Sequence, residues 1–272
     1  MNRKSRHLLA YPYILWMAAF IIIPLFIVLF YGFTNRDGNF TLDNIEQIAN
    51  PIHVRALFLS IRLSIISTVL CLILAYPLAL ILNNMKMKSN SFIVLIFIFP
   101  MWMNFLLRTL AWQTLLEKNG VINSVLSTLH LPAINIINTP NAIILGMVYN
   151  FLPFMVLPIY NVLIKIDGNV INAARDLGAN GIQTFFKIIF PLTLPGVISG
   201  VTMVFVPALT TFVISDILGG SKILLIGNVI EQEFITANNW NAGSGLSLVL
   251  MIFILISMAV MSKYDKEGTN VW

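Results

Sequence analysis

The chain has 272 residues, of which 58% are hydrophobic and only 10% are charged, and its mean hydropathy is +0.88. Soluble domains carry about 25% charged residues, so a soluble fold could not cover its surface with this composition, and a membrane protein is indicated. The single cysteine, Cys71, excludes a disulfide within the chain.

Six apolar stretches are each long enough to cross a bilayer, which takes roughly 20 helical residues. In chain order we predict spans at Tyr11–Phe33, Ala56–Leu82, Lys88–Leu116, Thr139–Ile164, Lys187–Asp216 and Ser244–Ser262. The first stretch is longer than the apolar core of a signal peptide, so we expect it to be retained. The predicted fold class is all-α, a polytopic membrane protein with about six transmembrane helices and a single domain over residues 1–272.

Several segments add detail to this plan. Arg108 interrupts the third stretch, and its side chain either reaches outward to water or pairs with an acid. Between the first two spans, Thr41–Ala49 has the spacing of a short amphipathic helix. In the fifth span Gly196 and Gly200 form a small-xxx-small face, for which we favour packing within the chain over a subunit interface.

The distribution of charge predicts that both termini are cytoplasmic. An even number of spans places the termini on one side, and an excess of basic residues marks the cytoplasmic side. On that assignment the cytoplasmic segments hold ten basic and four acidic residues, whereas the outer segments hold six basic and seven acidic residues. The net charge of +5 is therefore a signal of topology, and no nucleic-acid partner is expected.

One cytoplasmic stretch, Asp167–Pro191, has a distinctive pattern. Asp167 or Asn169 can cap a helix start, and the stretch predicts two short amphipathic helices separated by a bend at Gly178 and Gly181. The apolar positions are Ile171, Ala174, Leu177, Ile182, Phe185 and Phe186. Such a unit can dock on a partner protein or lie among lipid headgroups.

This stretch resembles the cytoplasmic EAA loop of type I ABC importer permeases. The family pattern is Glu-Ala-Ala, three residues, Gly, nine residues, Ile, one residue, Leu and Pro. Here Ala173-Ala174, Gly178, Ile188 and Pro191 are in register. Two positions depart from the pattern, because Asn172 replaces the Glu and Phe190 replaces the Leu. The loss of the Glu removes one negative charge from the presumed docking helix.

Further runs extend the resemblance over nearly the whole chain. They are similar to the permeases of spermidine/putrescine importers, and they are F-P-M-W-M-N-F-L-L-R-T, L-P-F-M-V-L-P-I-Y, A-A-R-D-L-G-A, P-L-T-L-P-G and S-D-I-L-G-G-S-K. The resemblance implies a MetI-like permease fold in the cell membrane and one half of a heterodimeric pore for polyamines. It implies three protein partners, namely a homodimeric ABC ATPase, a second homologous permease and an extracytoplasmic solute-binding protein.

The resemblance also assigns an ATPase-coupling role to part of residues 167–191. The implied coupling residues are Asn172, Ala173, Ala174, Arg175, Asp176, Gly178, Ala179, Phe185 and Pro191. No Gly in the chain is followed by Lys, so the chain lacks the usual phosphate-binding loop. No cofactor is expected in this chain, and ATP and Mg would be bound by the partner ATPase.

Candidate substrate contacts follow from the chemistry of polyamines, which are cations with apolar methylene segments. Acidic side chains can pair with such cations, and aromatic faces can attract them. The candidates are Trp102, Trp112, Tyr149, Phe154, Asp216 and Glu231, with Asp216 predicted to close the fifth span. For the aromatic residues, simple anchoring at the membrane interface is the alternative, and for Asp216 it is a solvated outer position.

Three other functions remain as alternatives. The chain could be an ABC permease for another small solute, because related permeases share much of this framework. A secondary transporter would show two similar halves with matched broken helices, and no such repeat is visible. An intramembrane enzyme would need reactive side chains within the spans, whereas the three histidines all lie outside them.

Overall fold

The computed structural model describes residues 12–84 and 99–269, and these ranges are mostly helical. In chain order the helices of this described part are α1 (Pro12–Gly32), α2 (Asp43–Glu46), α3 (Pro51–Asn84), α4 (Phe105–Leu116), α5 (Val121–Thr128), α6 (Pro140–Leu163), α7 (Gly168–Asp176), α8 (Gly181–Thr210), α9 (Val213–Gly219), α10 (Ile226–Ile235) and α11 (Trp240–Thr269). The only β-pairing in these ranges is an isolated bridge between Thr34 and Phe40.

Five of the described helices are long and apolar enough to cross a membrane, namely α1, α3, α6, α8 and α11. They confirm five of the six predicted spans in position. The prediction for the fourth span is the closest, since α6 begins and ends within one residue of it. The first part of the third predicted span, residues 88–98, lies outside the described residues.

The described end of the third predicted span is not one continuous helix. A short 3-10 helix at Phe99–Trp102 precedes α4, and Met103 and Asn104 separate the two helices. The Asn104 side chain accepts hydrogen bonds from the backbone N–H groups of Leu106 (2.8 Å) and Leu107 (3.4 Å). This cap satisfies amide groups that an interrupted helix leaves unpaired, and it explains why an uncharged run still contains a helix boundary.

The predicted limits of the fifth span were wrong at both ends. Helix α8 begins at Gly181, before the predicted start, and includes one π-helical turn at Phe185–Ile189. It ends at Thr210, where the backbone of Thr211 becomes extended. Asp216 therefore does not close the membrane-length helix but lies on the short helix α9.

The chain divides into two compact units. The first comprises the chain up to Arg55 together with Val229–Leu255. Within it, the carbonyl oxygen of Thr34 accepts hydrogen bonds from Nδ2 of Asn44 (2.8 Å) and Nδ2 of Asn241 (2.6 Å). These two bonds fasten the end of α1 to α2 and to the start of α11.

The second unit comprises Ala56–Asn228 together with the chain from Ile256 onward. Its central contact joins α6 and α8. A Cβ atom on Gly196 would lie 2.8 Å from the carbonyl oxygen of Pro158, and one on Gly200 would lie 2.8 Å from the sulfur of Met155. The predicted use of these glycines in packing within the chain is confirmed. Helix α9 packs against both α4 and α6.

Candidate functional site

The first candidate site is the segment of residues 167–191, which the structure resolves into α7, a bend and the start of α8. Helix α7 begins where Asp167 accepts a hydrogen bond from the backbone N–H of Asn169 at 2.9 Å. A carboxylate at this position also interacts favourably with the helix dipole. The predicted start of the first amphipathic helix is thereby confirmed.

Gly178 forms the bend after α7. Its φ of +84° is in the left-handed region, which a glycine adopts without the steric cost of a Cβ atom. Its N–H donates to the carbonyl of Arg175 at 2.8 Å, and the N–H of Ala179 donates to that of Ala174 at 3.0 Å. These paired bonds define a Schellman motif, the usual way to end a helix on glycine. The left-handed backbone at position 178 therefore favours glycine, independently of any contact with a partner protein.

A second capping motif starts α8 two residues later. Asn180 accepts from the backbone N–H of Gln183 at 2.9 Å, and the Gln183 side chain accepts from that of Asn180 at 3.0 Å. This reciprocal pair is a capping box. The two motifs fix the backbone on both sides of Ala179. The second amphipathic segment is therefore the beginning of α8 and not a separate short helix.

The predicted coupling residues differ in their exposure. Exposed members are Asn172, Ala173, Arg175, Asp176, Gly178 and Pro191, whereas Ala174 is buried and Ala179 and Phe185 are half-buried. Phe185 packs edge-on against Tyr76 of α3, with 5.3 Å between ring centroids. The Tyr76 hydroxyl in turn lies 2.5 Å from Oγ1 of Thr193. Phe185 therefore ties the segment to the rest of the chain.

Three large apolar side chains of this segment point outward instead. Leu177 is 90% exposed, Ile182 is 71% exposed and Phe186 is 63% exposed. Leu177 and Ile182 lie on opposite sides of the Gly178 bend. Sequence reasoning recognised all three as apolar but did not select them as site residues. For Leu177 and Ile182, the position close to a helix-ending glycine is the signal that could have found them.

The second candidate site contains the aromatic residues proposed to meet substrate. Trp112 of α4 packs edge-on against Tyr149 of α6, with 5.2 Å between ring centroids. Tyr149 and Phe154 are 37% and 38% exposed, while Trp102 is 76% exposed. The structure thus brings Trp112 and Tyr149 together. It records no ring contact between Trp102 and this pair.

Asp216 belongs to a polar cluster that we call the Asn228 node, formed by Ser215, Asp216, Leu225 and Asn228. The fully buried Asn228 donates from Nδ2 to a carboxylate oxygen of Asp216 at 2.7 Å. Its Oδ1 accepts from the backbone N–H of Leu225 at 3.0 Å and lies 2.6 Å from the hydroxyl of Ser215. The node holds the loop before α10 against α9. Sequence reasoning missed Asn228 entirely.

The node also sets the electrostatics of Asp216. Burial raises the pKa of its carboxyl above the ordinary value, and the hydrogen bond from Asn228 opposes that rise. Asp216 is half-buried, so its carboxylate is only partly accessible to solvent. A cation can still approach the exposed part of this carboxylate, and a nearby opposite charge favours its ionised form.

The last candidate, Glu231, is half-buried on α10 and belongs to the first unit. The other candidates belong to the second unit. Among the residues that the structure describes, no group of three or more His, Cys, Asp or Glu side chains is arranged to hold a metal ion.

Comparison with known proteins gives one consistent result. Residues 1–266 match the family of the binding-protein-dependent transport system inner membrane component. The chain is 36% identical to the spermidine/putrescine transport system permease protein PotB of Haemophilus influenzae, over 98% of this chain and 96% of the relative. It is 38% identical to the protein of the same name from Escherichia coli, over 90% and 92% of the two chains.

A solved structure shares the fold. A chain in the crystal structure of a bacterial alginate ABC transporter, in complex with an alginate pentasaccharide-bound periplasmic protein, superposes with a TM-score of 0.82. The two chains are 15% identical, and the match covers 98% of this chain and 95% of the other. From the family match and the identity to these relatives, the chain belongs to the inner membrane permease components of binding-protein-dependent ABC transport systems.

Proposed function

We propose that this permease forms one half of the pore of an ATP-driven importer for the polyamines spermidine and putrescine. The observation that carries the proposal is 36–38% identity, over at least 90% of the chain, to permeases named for spermidine and putrescine. Two features support it, since the half-buried carboxylate of Asp216 and the packed rings of Trp112 and Tyr149 are each suited to bind an elongated cation.

The proposed topology places both termini and the segment of residues 167–191 in the cytoplasm. The support is the excess of basic residues on that side. Cysteines at residues 168 and 37, introduced singly into a Cys71→Ala background, should be labelled by a membrane-impermeant reagent from opposite sides. Gly168 is suitable because a Cβ there meets nothing within 4 Å, and Asp37 is exposed. Labelling of both from one side would refute the topology.

The same segment is the proposed contact with the ATPase, a homodimer that would bind ATP and Mg. Leu177 and Ile182 are exposed on either side of a bend whose backbone is fixed by two capping motifs. A backbone fixed in this way loses little further conformational entropy when the two apolar side chains bury area on docking. We therefore add these two residues to the coupling set implied by the family pattern.

A pair of variants tests this docking role. Leu177→Ser with Ile182→Ser should leave the chain folded, because both side chains are already exposed. It should reduce co-purification of the ATPase and substrate uptake together. Leu129→Ser with Leu131→Ser is a matched control, since these leucines are 62% and 51% exposed elsewhere in the chain. Equal ATPase recovery from both double variants would remove Leu177 and Ile182 from the interface.

Substrate transport is tested in liposomes that contain this chain, a second permease and the ATPase. Addition of the binding protein and ATP should drive spermidine or putrescine inward, whereas this chain alone should not. Asp216→Asn should lower the uptake rate, while Asp37→Asn, at an exposed acid, should not. We expect a modest effect, equivalent to about 0–1 kcal/mol, because a transit site must also release its cation.

The second candidate function is a permease of the same kind for another small solute. A competition assay of uptake distinguishes these two candidate functions. Unlabelled spermidine and putrescine should abolish uptake of the labelled polyamine, and neutral or acidic solutes should not. If the complete complex hydrolyses ATP but fails to accumulate either polyamine, the polyamine assignment is wrong and the permease role stands.

A further inference from the structure

Arg108 is a buried cation whose charge the described chain leaves unpaired. It lies one turn into α4 and is only 8% exposed. Its Nε has no hydrogen-bond partner. A buried guanidinium nitrogen without an acceptor loses the hydration that it had in water and gains no hydrogen bond in exchange. This is a large cost for a single side chain, so a partner for Arg108 is to be expected.

The polar groups nearest in sequence and across the helix contact do not serve as that partner. Thr109, which is fully buried, accepts from Nδ2 of Asn150 at 3.5 Å. The same Nδ2 donates to the carbonyl of Gly146 at 2.9 Å, while Oδ1 of Asn150 has no partner of its own. The contact between α4 and α6 thus contains two unsatisfied polar atoms, and neither satisfies the other.

No carboxylate of the described chain neutralises Arg108. The side chains of nine of the eleven acidic residues are described, and none of these nine forms an ion pair with Arg108. Asp216 lies on α9, which packs against α4, but its carboxylate is bonded to Asn228. Residues 85–98 contain no acid, and the other two acids, Asp265 and Glu267, lie in the last two turns of α11.

We propose that Arg108 pairs with a carboxylate of the second permease subunit. The inference rests on the proposed function only in requiring such a subunit. A polyamine cannot be the missing partner, because it carries the same charge as arginine. Alongside Arg108, α4 presents an apolar stripe with helical spacing, on which a partner helix can pack. The stripe is Leu106, Leu107 and Leu110, which are 48%, 61% and 42% exposed, and Met103, just before the helix, is 53% exposed.

The pairing predicts opposite effects of one substitution in two settings. In the isolated chain, Arg108→Met removes an unpaired buried charge, so its melting temperature in detergent should equal or exceed that of the wild type. In the assembled complex, the same substitution leaves the partner's carboxylate buried without an opposite charge. Recovery of the second permease should then fall about thirtyfold or more, the lower limit for truncating a buried interfacial charge pair. A variant that merely misfolds would be less stable in both settings.

Arg62→Met is the matched control, because Arg62 is exposed on α3. It should leave both the isolated chain and the complex unchanged. Arg108→Lys should retain part of the second subunit, since it keeps the charge and loses the planar fork. The partner is identified by charge exchange: Arg108→Glu combined with arginine at one acidic position of the second permease should restore assembly.

Three outcomes would overturn the inference, and none is confused with failure of the proposed function. Equal recovery of the second permease with wild type and Arg108→Met would show that Arg108 is not paired across the interface. Destabilisation of the isolated chain by Arg108→Met would place the partner within this chain. Loss of the effect in nanodiscs of zwitterionic phosphatidylcholine alone, with its return when anionic phosphatidylglycerol is added, would identify an anionic lipid headgroup as the partner. Failure of the wild-type chain to assemble with any second permease would instead refute the half-pore proposal.

Discussion

Gly196 offers the sharpest test of how closely α6 and α8 pack. In Gly196→Ala the new Cβ would lie 2.8 Å from the carbonyl oxygen of Pro158 and 3.2 Å from Cα of Ile159. Both atoms belong to the backbone of α6, so no side-chain rotation can relieve the overlap and the helices must separate. Overpacking of this kind costs about 1–3 kcal/mol. At about 2–4 °C per kcal/mol for chains of this size, the melting temperature should fall by about 2–12 °C.

The single cysteine provides the assay. Cys71 of α3 is fully buried, with its sulfur 3.8 Å from the carbonyl oxygen of Val148 on α6. A thiol-reactive fluorescent dye will therefore report when this contact opens on heating. Gly168→Ala is the matched control, because a Cβ there meets nothing within 4 Å. A Gly196→Ala chain that melts at the wild-type temperature would show that α6 and α8 are not in backbone contact at this point.

Three more outcomes can be measured with the same assay or with uptake. Gly178→Ala should cost about 1–2 kcal/mol, from the left-handed backbone alone, because no atom lies within 4 Å of the new Cβ; an unchanged melting temperature would contradict the φ of +84°. Asp216 has a raised pKa in the folded chain, so it binds a proton more readily when folded. Its contribution to stability should rise as pH falls through that raised pKa toward the ordinary value, and Asp216→Asn should abolish this part of the pH dependence. Asn228→Ala should lower the melting temperature more than Asp216→Asn, since it leaves several buried groups of the Asn228 node unpaired.

Much of the candidate coupling segment was predictable because its structure is local. The start of α7 at Asp167 and the bend at Gly178 depend on hydrogen bonds between residues at most five apart in the chain. Such bonds follow from residue type and spacing, so a sequence contains nearly all the information. The same holds for the apolar spans, whose length is set by the thickness of the bilayer.

The direction of individual side chains was not predictable. Phe185 and Phe186 are adjacent and chemically identical, yet Phe185 packs on Tyr76 while Phe186 is 63% exposed. A π-helical turn begins at Phe185, and it alters the rotation of the helix from that point. Periodicity based on a regular α-helix cannot separate the two residues.

The sequence by itself determined that this chain is helical, spans a membrane and belongs with the importer permeases, because hydropathy and short motifs are properties of the chain alone. Tertiary structure decided which polar groups find partners. Asn228 is 12 residues from Asp216 and 13 from Ser215, and nothing in its neighbourhood in sequence marks it as a node. Arg108 looks like an ordinary interfacial arginine until packing buries it. Burial and pairing depend on residues distant in the chain, so only the folded molecule shows that one of these groups is satisfied and the other is not.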